Sequence, residues 1–142
     1  MNDNESQSRI DAAKLIRSYY DAFNAGDTDA MLDHLTEDVI HDVNQGERRL
    51  GKESFRAFNA SMTHNYKETL TEITVMVSKD GSRAAAEFVV NGSYLNTDSG
   101  LPPATGQKYV LPAGTFFELR DGKISRVTTY YNLVDWTNQV TG

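Results

Sequence analysis

The hydrophobic period changes once along the chain, and this change limits the fold more than any other feature. Over residues 9–25 apolar side chains recur at helical spacing, with Ser8 as the predicted N-cap and Gly26 as the left-handed cap. A second helix is predicted from Asp27 or Thr28, and a third over 52–65. From Leu70 onward apolar and polar residues alternate, as in strands with one buried face. Segregated helices and strands indicate an α+β fold.

Turn signals divide the second half of the chain into strands. Residues 70–78 and 83–96 flank Lys79-Asp80-Gly81-Ser82, and residues 108–120 and 123–134 flank Asp121-Gly122, a strong hairpin signal. A short strand is predicted at 39–43 and a short helix at 135–140. A strongly curved sheet wrapped on the helices would enclose a cone with an apolar pocket at its wide end.

Composition excludes several classes of protein. The chain has 142 residues, so we expect one domain over 9–142 after a flexible tail at 1–8. Cysteine is absent, which excludes disulfide scaffolds and thiolate chemistry, and three histidines leave little material for a metal site, so neither metal nor cofactor is predicted. A net charge of −6 argues against nucleic-acid and anionic membrane surfaces. Neither a signal peptide nor an apolar span of ~20 residues is visible, so we expect a cytoplasmic protein.

Four stretches in this order and spacing resemble the nuclear transport factor 2-like superfamily, and within it the SnoaL-like and ketosteroid isomerase-related proteins. They are Tyr19–Asp27, Glu37–Asp42, Phe117–Ile124, and Tyr130-Tyr131-Asn132 leading to Asp135-Trp136. The resemblance covers about residues 10–140. It implies a cone-shaped α+β barrel, with a curved, mixed but mostly antiparallel sheet wrapped on three N-terminal helices. It does not specify an activity, because this fold hosts isomerases, cyclases, hydrolases, dehydratases and binding modules.

The resemblance also implies candidate catalytic residues. Asp42 matches the isomerase base, a carboxylate whose pKa rises in an apolar pocket; the alternative is that Asp42 caps the following turn. A strand slip of one residue would exchange Asp42 for His41, which therefore remains the second candidate base. Tyr19 matches the tyrosine that donates to the developing enolate, although an aromatic core residue is the commoner role and Tyr20 competes for the position.

Two expected acidic groups are missing from the pattern. The position of the isomerases' protonated aspartic acid is Thr115 or Gly114, depending on the alignment. Asn132 stands where SnoaL-like cyclases often have an aspartic acid. Neither threonine nor asparagine can act as a general acid, so neither activity is reproduced in full.

The hairpin predicts which side chains line the pocket. A two-residue turn at Asp121-Gly122 would pair Phe117 with Arg126 and Thr115 with Thr128. Trp136 either closes the pocket mouth or packs at a subunit contact, and Arg48 and Arg49 are interpreted as a solvated loop cluster. The predicted pocket residues are Tyr20, Phe23, Phe58, Tyr94, Thr115, Phe117, Thr128, Tyr130, Asn132 and Trp136.

Three functions follow from these expectations. The first is a cofactor-independent enzyme that moves a proton on a small, steroid- or polyketide-like carbonyl compound, with Asp42 as base and Tyr19 as donor. The second is a non-catalytic module that binds a hydrophobic small molecule and dimerises through its sheet. The third is an interaction domain in which the pocket is incidental.

Overall fold

The computed structural model describes residues 3–44 and 46–142, and this part of the chain contains four helices and six strands. The helices are α1 (Asp3–Ala25), α2 (Thr28–Asp33), α3 (Lys52–Asn65) and α4 (Leu133–Thr141). The strands are β1 (Leu35–Val43), β2 (Arg49–Leu50), β3 (Tyr66–Val77), β4 (Arg83–Tyr94), β5 (Lys108–Arg120) and β6 (Lys123–Tyr131). None of the described helices is long and apolar enough to cross a membrane.

All six strands form one sheet in the order β2-β1-β6-β5-β4-β3. The β1–β6 pair is parallel and the other pairs are antiparallel. The predicted α+β fold, a curved mixed sheet with helices on its inner face, is therefore confirmed.

Alternating side chains put the core on the inner face of the sheet. Ala86, Phe88 and Val90 of β4 are buried, and so are Leu111 and Phe117 of β5. The α1 side chains Ile16, Tyr19 and Tyr20 belong to the same apolar cluster. The cluster is continuous from α1 across the central strands, so one core supports both layers.

The start of α1 differs from the prediction. The helix begins at Asp3, so Ser8 lies inside it, and the segment 3–8 assigned to a tail is helical; Met1 and Asn2 lie outside the described residues. The neighbouring turn explains the longer helix, because Arg9 Nη1 donates to the Lys79 carbonyl at 2.8 Å. A Cβ on Gly81 would also approach Ser8 to 2.8 Å. The Arg9–Lys79 hydrogen bond joins residues 70 positions apart, so a local helix pattern could not predict it.

A β-bulge in β6 changes the register of the predicted hairpin. Leu119 pairs with Ile124, but the next pair is Glu118 with Arg126, so Ser125 is an extra residue. One inserted residue exchanges the two faces of the strand beyond it. Thr115 consequently pairs with Thr129 rather than with Thr128.

Candidate functional site

A cavity of about 850 Å³ lies between the helices and the inner face of the sheet. This volume is in the range of small-molecule sites. Apolar and aromatic side chains form most of its lining, and a few polar groups come from β1, β2, β3 and the loop after β4. Within residues 3–44 and 46–142, no cluster of three or more His, Asp or Glu side chains could hold a metal ion.

Two tyrosines of α1 line the cavity. The rings of Tyr19 and Tyr20 meet edge to face, with centroids 5.2 Å apart, and both are buried. Burial raises the pKa of both phenols well above the ordinary value. The Thr115 side chain beside Tyr20 opposes the shift in its pKa. Both phenols stay protonated at neutral pH, so each retains a hydrogen to donate.

Asp42 does not face the cavity, which corrects its prediction as the pocket base. Its Oδ1 accepts from Arg48 Nε at 2.8 Å, and its Oδ2 accepts from the Thr128 hydroxyl at 2.7 Å. The hydrogen bond from Arg48 is the main reason why the pKa of Asp42 lies below its usual value. The Asp42 carboxylate is therefore ionised, is hydrogen-bonded to two side chains, and lies on the outer face of the sheet, where it cannot contact a ligand in the cavity.

His41 lines the cavity in place of Asp42. Neighbouring residues of a strand point to opposite faces, so only one of the two can be inside. The His41 ring packs against Phe55 and Phe58, with centroids 4.3 and 4.7 Å away. Burial, and next the positive charge of Arg49, lower the pKa of His41 to about 4. The imidazole is therefore neutral at pH 7, and within the described part of the chain its Nδ1 is buried without a partner.

Arg49 also lines the cavity, although its sequence context predicted a solvated loop. It belongs to β2 and lies opposite His41 in the β1–β2 pair. Its guanidinium carbon lies 4.4 Å from the centroid of the Phe58 ring, a cation–π distance. A two-residue strand has no visible period, so alternation could not reveal which way Arg49 points.

Two further acidic groups of the cavity were not predicted. The Tyr109 hydroxyl donates to Glu68 Oε2 at 2.5 Å, and the Tyr66 hydroxyl donates to Asp98 Oδ2 at 2.8 Å. Burial raises the pKa of Glu68, while the Tyr109 bond opposes that shift. Glu68 was missed because β3 begins at Tyr66, whereas the alternation of apolar residues becomes visible only from Leu70.

The remaining predicted pocket residues divide into four groups. Tyr20, Phe23, Phe58, Thr115 and Trp136 line the cavity, as does the predicted donor Tyr19. Tyr94 and Phe117 are fully buried in the core; the Tyr94 hydroxyl donates to the Pro102 carbonyl. Thr128 and Tyr130 lie on the outer face because of the Ser125 bulge, and Thr129 and Tyr131 take their places inside. Asn132 is the N-cap of α4, where its side chain accepts from the Asp135 amide.

Comparisons with known proteins agree with this architecture. The SnoaL-like domain model matches residues 16–127. A solved "putative polyketide cyclase" of Pseudomonas putida KT2440 is 60% identical, with 91% of this chain and 97% of that chain covered and a TM-score of 0.90. Proteins of the same description from Silicibacter sp. TM1040 (60% identity, 92% and 96% covered) and Xanthomonas campestris pv. campestris (53% identity, 94% and 98% covered) also have TM-scores of 0.90. Among curated proteins, none matches the chain.

Proposed function

Because this chain belongs to the SnoaL-like domain family, we propose that it is a cofactor-independent enzyme that moves a proton on a small hydrophobic carbonyl compound. The reaction is an isomerisation, cyclisation or dehydration of a steroid- or polyketide-like molecule. The observation that carries the proposal is the position of His41 in the wall of a largely apolar cavity, with no partner for its Nδ1 among the described residues. The description of three similar proteins as "putative polyketide cyclase" supports the same class of chemistry.

In the proposed reaction, His41 takes the proton from a carbon next to the substrate carbonyl. The C–H bond breaks, its electron pair moves towards the carbonyl oxygen, and an enolate forms. The protonated phenol of Tyr19 donates a hydrogen bond to that oxygen, where a fixed donor in an apolar site stabilises developing charge. The negative enolate in turn stabilises the imidazolium. Return of the proton from His41 to a carbon conjugated with the enolate completes an isomerisation. Attack of the enolate carbon on a second carbonyl forms a C–C bond and closes a ring, and the resulting alkoxide takes the proton back from His41.

Exchange of hydrogen for deuterium on 2-tetralone in D₂O tests the proposal without knowledge of the natural substrate. We expect the protein to accelerate exchange at the carbon next to the carbonyl, followed by NMR. His41→Gln should lower the acceleration by about 10²-fold or more. Asp42→Asn is the matched control, since it alters the adjacent carboxylate on the outer face. A loss in Asp42→Asn equal to that in His41→Gln, with melting temperatures unchanged, would contradict the assignment of the base.

The alternative is a non-catalytic module that holds a hydrophobic ligand in the same cavity. The aromatic side chains Tyr20, Phe23, Phe58 and Trp136 in its lining favour this function, because they offer apolar contact without chemistry. Binding of 2-tetralone that raises the melting temperature without any acceleration of exchange would support the module over the enzyme.

We also propose that two copies associate through the outer face of the sheet. Large apolar side chains are exposed there: Met76 is 51% exposed, Phe116 48% and Tyr130 53%. Met76 and Phe116 both pair with Ala85, so they belong to one cross-strand row. An apolar patch of this kind on a sheet face is typical of an association surface.

A further inference from the structure

Arg49 and His41 place two polar side chains at one corner of the cavity. They are register partners in the antiparallel β1–β2 pair, and directly opposite residues present their side chains on the same face. Both line the cavity. β2 is one edge strand of the sheet, whereas Glu68 lies on β3, the other edge strand. The basic group and this acidic group of the cavity thus come from opposite edge strands of the sheet.

The Arg49 guanidinium is held in position, and no ion pair to it is formed by the described residues. Its central carbon lies over the Phe58 ring, and a Cβ on Gly46 would lie 3.4 Å from Nη1, so the preceding loop also approaches it closely. Within residues 3–44 and 46–142, Nη1 is buried and has no acceptor. A buried donor without a partner costs roughly 1–3 kcal/mol, and more when it is charged. A ligand that supplies the acceptor recovers this free energy.

His41 presents the second unpartnered atom of the corner. Its residue exposure is 4%, and its Nδ1 has no partner in the described part of the chain. As the proposed base, His41 needs its free nitrogen to accept a proton, whereas a guanidinium nitrogen can only donate, so a ligand carboxylate falls to Arg49. The neighbouring cation Arg48 differs in every respect: it is exposed, and its Nε and Nη2 donate to the two carboxylate oxygens of Asp42 on the outer face.

We propose that Arg49 forms an anion-binding subsite beside His41, and that the ligands of this cavity are hydrophobic molecules carrying a carboxylate. A carboxylate offers two coplanar acceptor oxygens, the geometry that a guanidinium recognises best. Glu68 and Asp98, both acids, line the cavity as well, so the carboxylate is drawn to the β2 corner and the ligand takes one orientation. The inference rests on the proposed function for the use of this cavity, and it narrows the substrate class to organic acids.

Calorimetric titration with a matched pair of probes tests the subsite. The probes are 2-naphthoate, which is ionised at pH 7, and 2-naphthamide, which has the same shape and no charge. We expect the wild-type protein to bind the carboxylate at least about tenfold more tightly than the amide, equivalent to about 1.4 kcal/mol. Arg49→Gln should reduce this preference to less than about twofold, and Arg49→Lys should retain part of it.

Arg48→Gln is the matched control, since it removes the adjacent cation outside the cavity, and it should leave the preference unchanged. Equal binding of the two probes by the wild type, binding of neither, or equal losses in Arg48→Gln and Arg49→Gln would overturn the subsite. If Arg49→Gln does not fold, the preference for naphthoate over naphthamide is compared between the wild type and Arg49→Lys instead. The assay needs no turnover, so a preference for naphthoate without exchange on 2-tetralone would refute the enzyme and keep the subsite. The reverse result would refute the subsite alone.

Discussion

At the scale of single residues, the site depends on which of two neighbours faces inward. His41 and Asp42 are adjacent, and the strand sends one to the cavity and the other to Arg48 and Thr128. Both environments lower the pKa of the group they surround. For the histidine this favours the neutral form, and for the aspartate it favours the charged form. Burial keeps His41 neutral, whereas the Arg48 hydrogen bond keeps Asp42 ionised.

The lowered pKa of His41 predicts a loss of stability in mild acid. The folded protein holds His41 neutral down to about pH 4, while the unfolded chain takes up a proton near the ordinary value of 6.5. Its contribution is therefore complete above pH 6.5 and is lost as the pH falls from 6.5 to 4. The loss is on the order of 3 kcal/mol in the free energy of unfolding.

Urea unfolding of the wild type and of His41→Gln between pH 4 and pH 7 measures this loss of stability. We expect the wild type to lose more stability than the variant across that interval. His64→Gln, which alters an exposed histidine of α3, should behave as the wild type does. Parallel pH profiles for wild type and His41→Gln would show that His41 is not buried in its neutral form.

At the scale of elements, one asparagine joins the end of α1 to β3. Asn24 Nδ2 donates to the Leu70 carbonyl at 2.9 Å, and Asn24 Oδ1 accepts from the Leu70 amide at 2.8 Å. The pair lies beside the irregular part of β3, where the register with β4 shifts between Thr71 and Thr74. A side-chain amide thus takes the place of a strand neighbour and fixes the helix on the sheet.

Asn24→Ala should lower the free energy of unfolding by about 1–3 kcal/mol, because two backbone groups of Leu70 lose their partner. Chemical denaturation measures the change. Asn138→Ala, an exposed position in α4, is the control and should have little effect. Equal, small effects of both substitutions would show that water replaces the Asn24 amide without loss.

Gly92 allows β4 and the Tyr109 side chain of β5 to approach each other. A Cβ built on Gly92 would overlap the Tyr109 ring, which must lie there to donate to Glu68. We expect Gly92→Ala to displace the ring and destabilise the fold by about 1–3 kcal/mol. Gly114→Ala is the matched control. A Cβ on Gly114 would lie 3.5 Å from the Ala86 carbonyl oxygen, which is ordinary van der Waals contact. Thermal unfolding of the two variants would contradict this explanation if their losses were equal.

Local patterns predicted the elements better than their registers. The range 52–65 for α3, the start of β4 at Arg83 and the Asp121-Gly122 turn follow from the hydrophobic period and turn residues, and the structure confirms them. Which residues of β6 face inward could not be predicted in this way, because no local sequence pattern indicates the bulge at Ser125. That single residue moved Thr128 and Tyr130 outward, and in β1 it is His41 rather than the predicted Asp42 that lines the cavity. Register depends on packing between distant segments, which a local pattern does not contain.

At the scale of the whole molecule, the two faces of the sheet have different surroundings. The inner face carries the core and the cavity, and helices cover it. The outer face carries Met76, Phe116 and Tyr130, with the Phe116 and Tyr130 rings in edge contact at 6.0 Å. Charged groups flank this patch, since Arg126 Nε donates to Glu118 Oε2 at 2.7 Å. An apolar centre with a polar rim is the arrangement of a protein interface.

Phe116→Asp should convert the proposed dimer into a monomer. The substitution places a charge at the centre of the apolar patch, where association would bury it without a partner. Val134→Asp is the control, because Val134 is 70% exposed on α4 and lies outside the patch. Sedimentation velocity at micromolar concentration should show a dimer for wild type and Val134→Asp, and a monomer for Phe116→Asp. Since each copy carries a net charge of −6, screening by 0.15 M salt should strengthen the wild-type association relative to low salt. A wild-type monomer under both salt conditions, or a dimer that survives Phe116→Asp, would show that the outer face is not the interface.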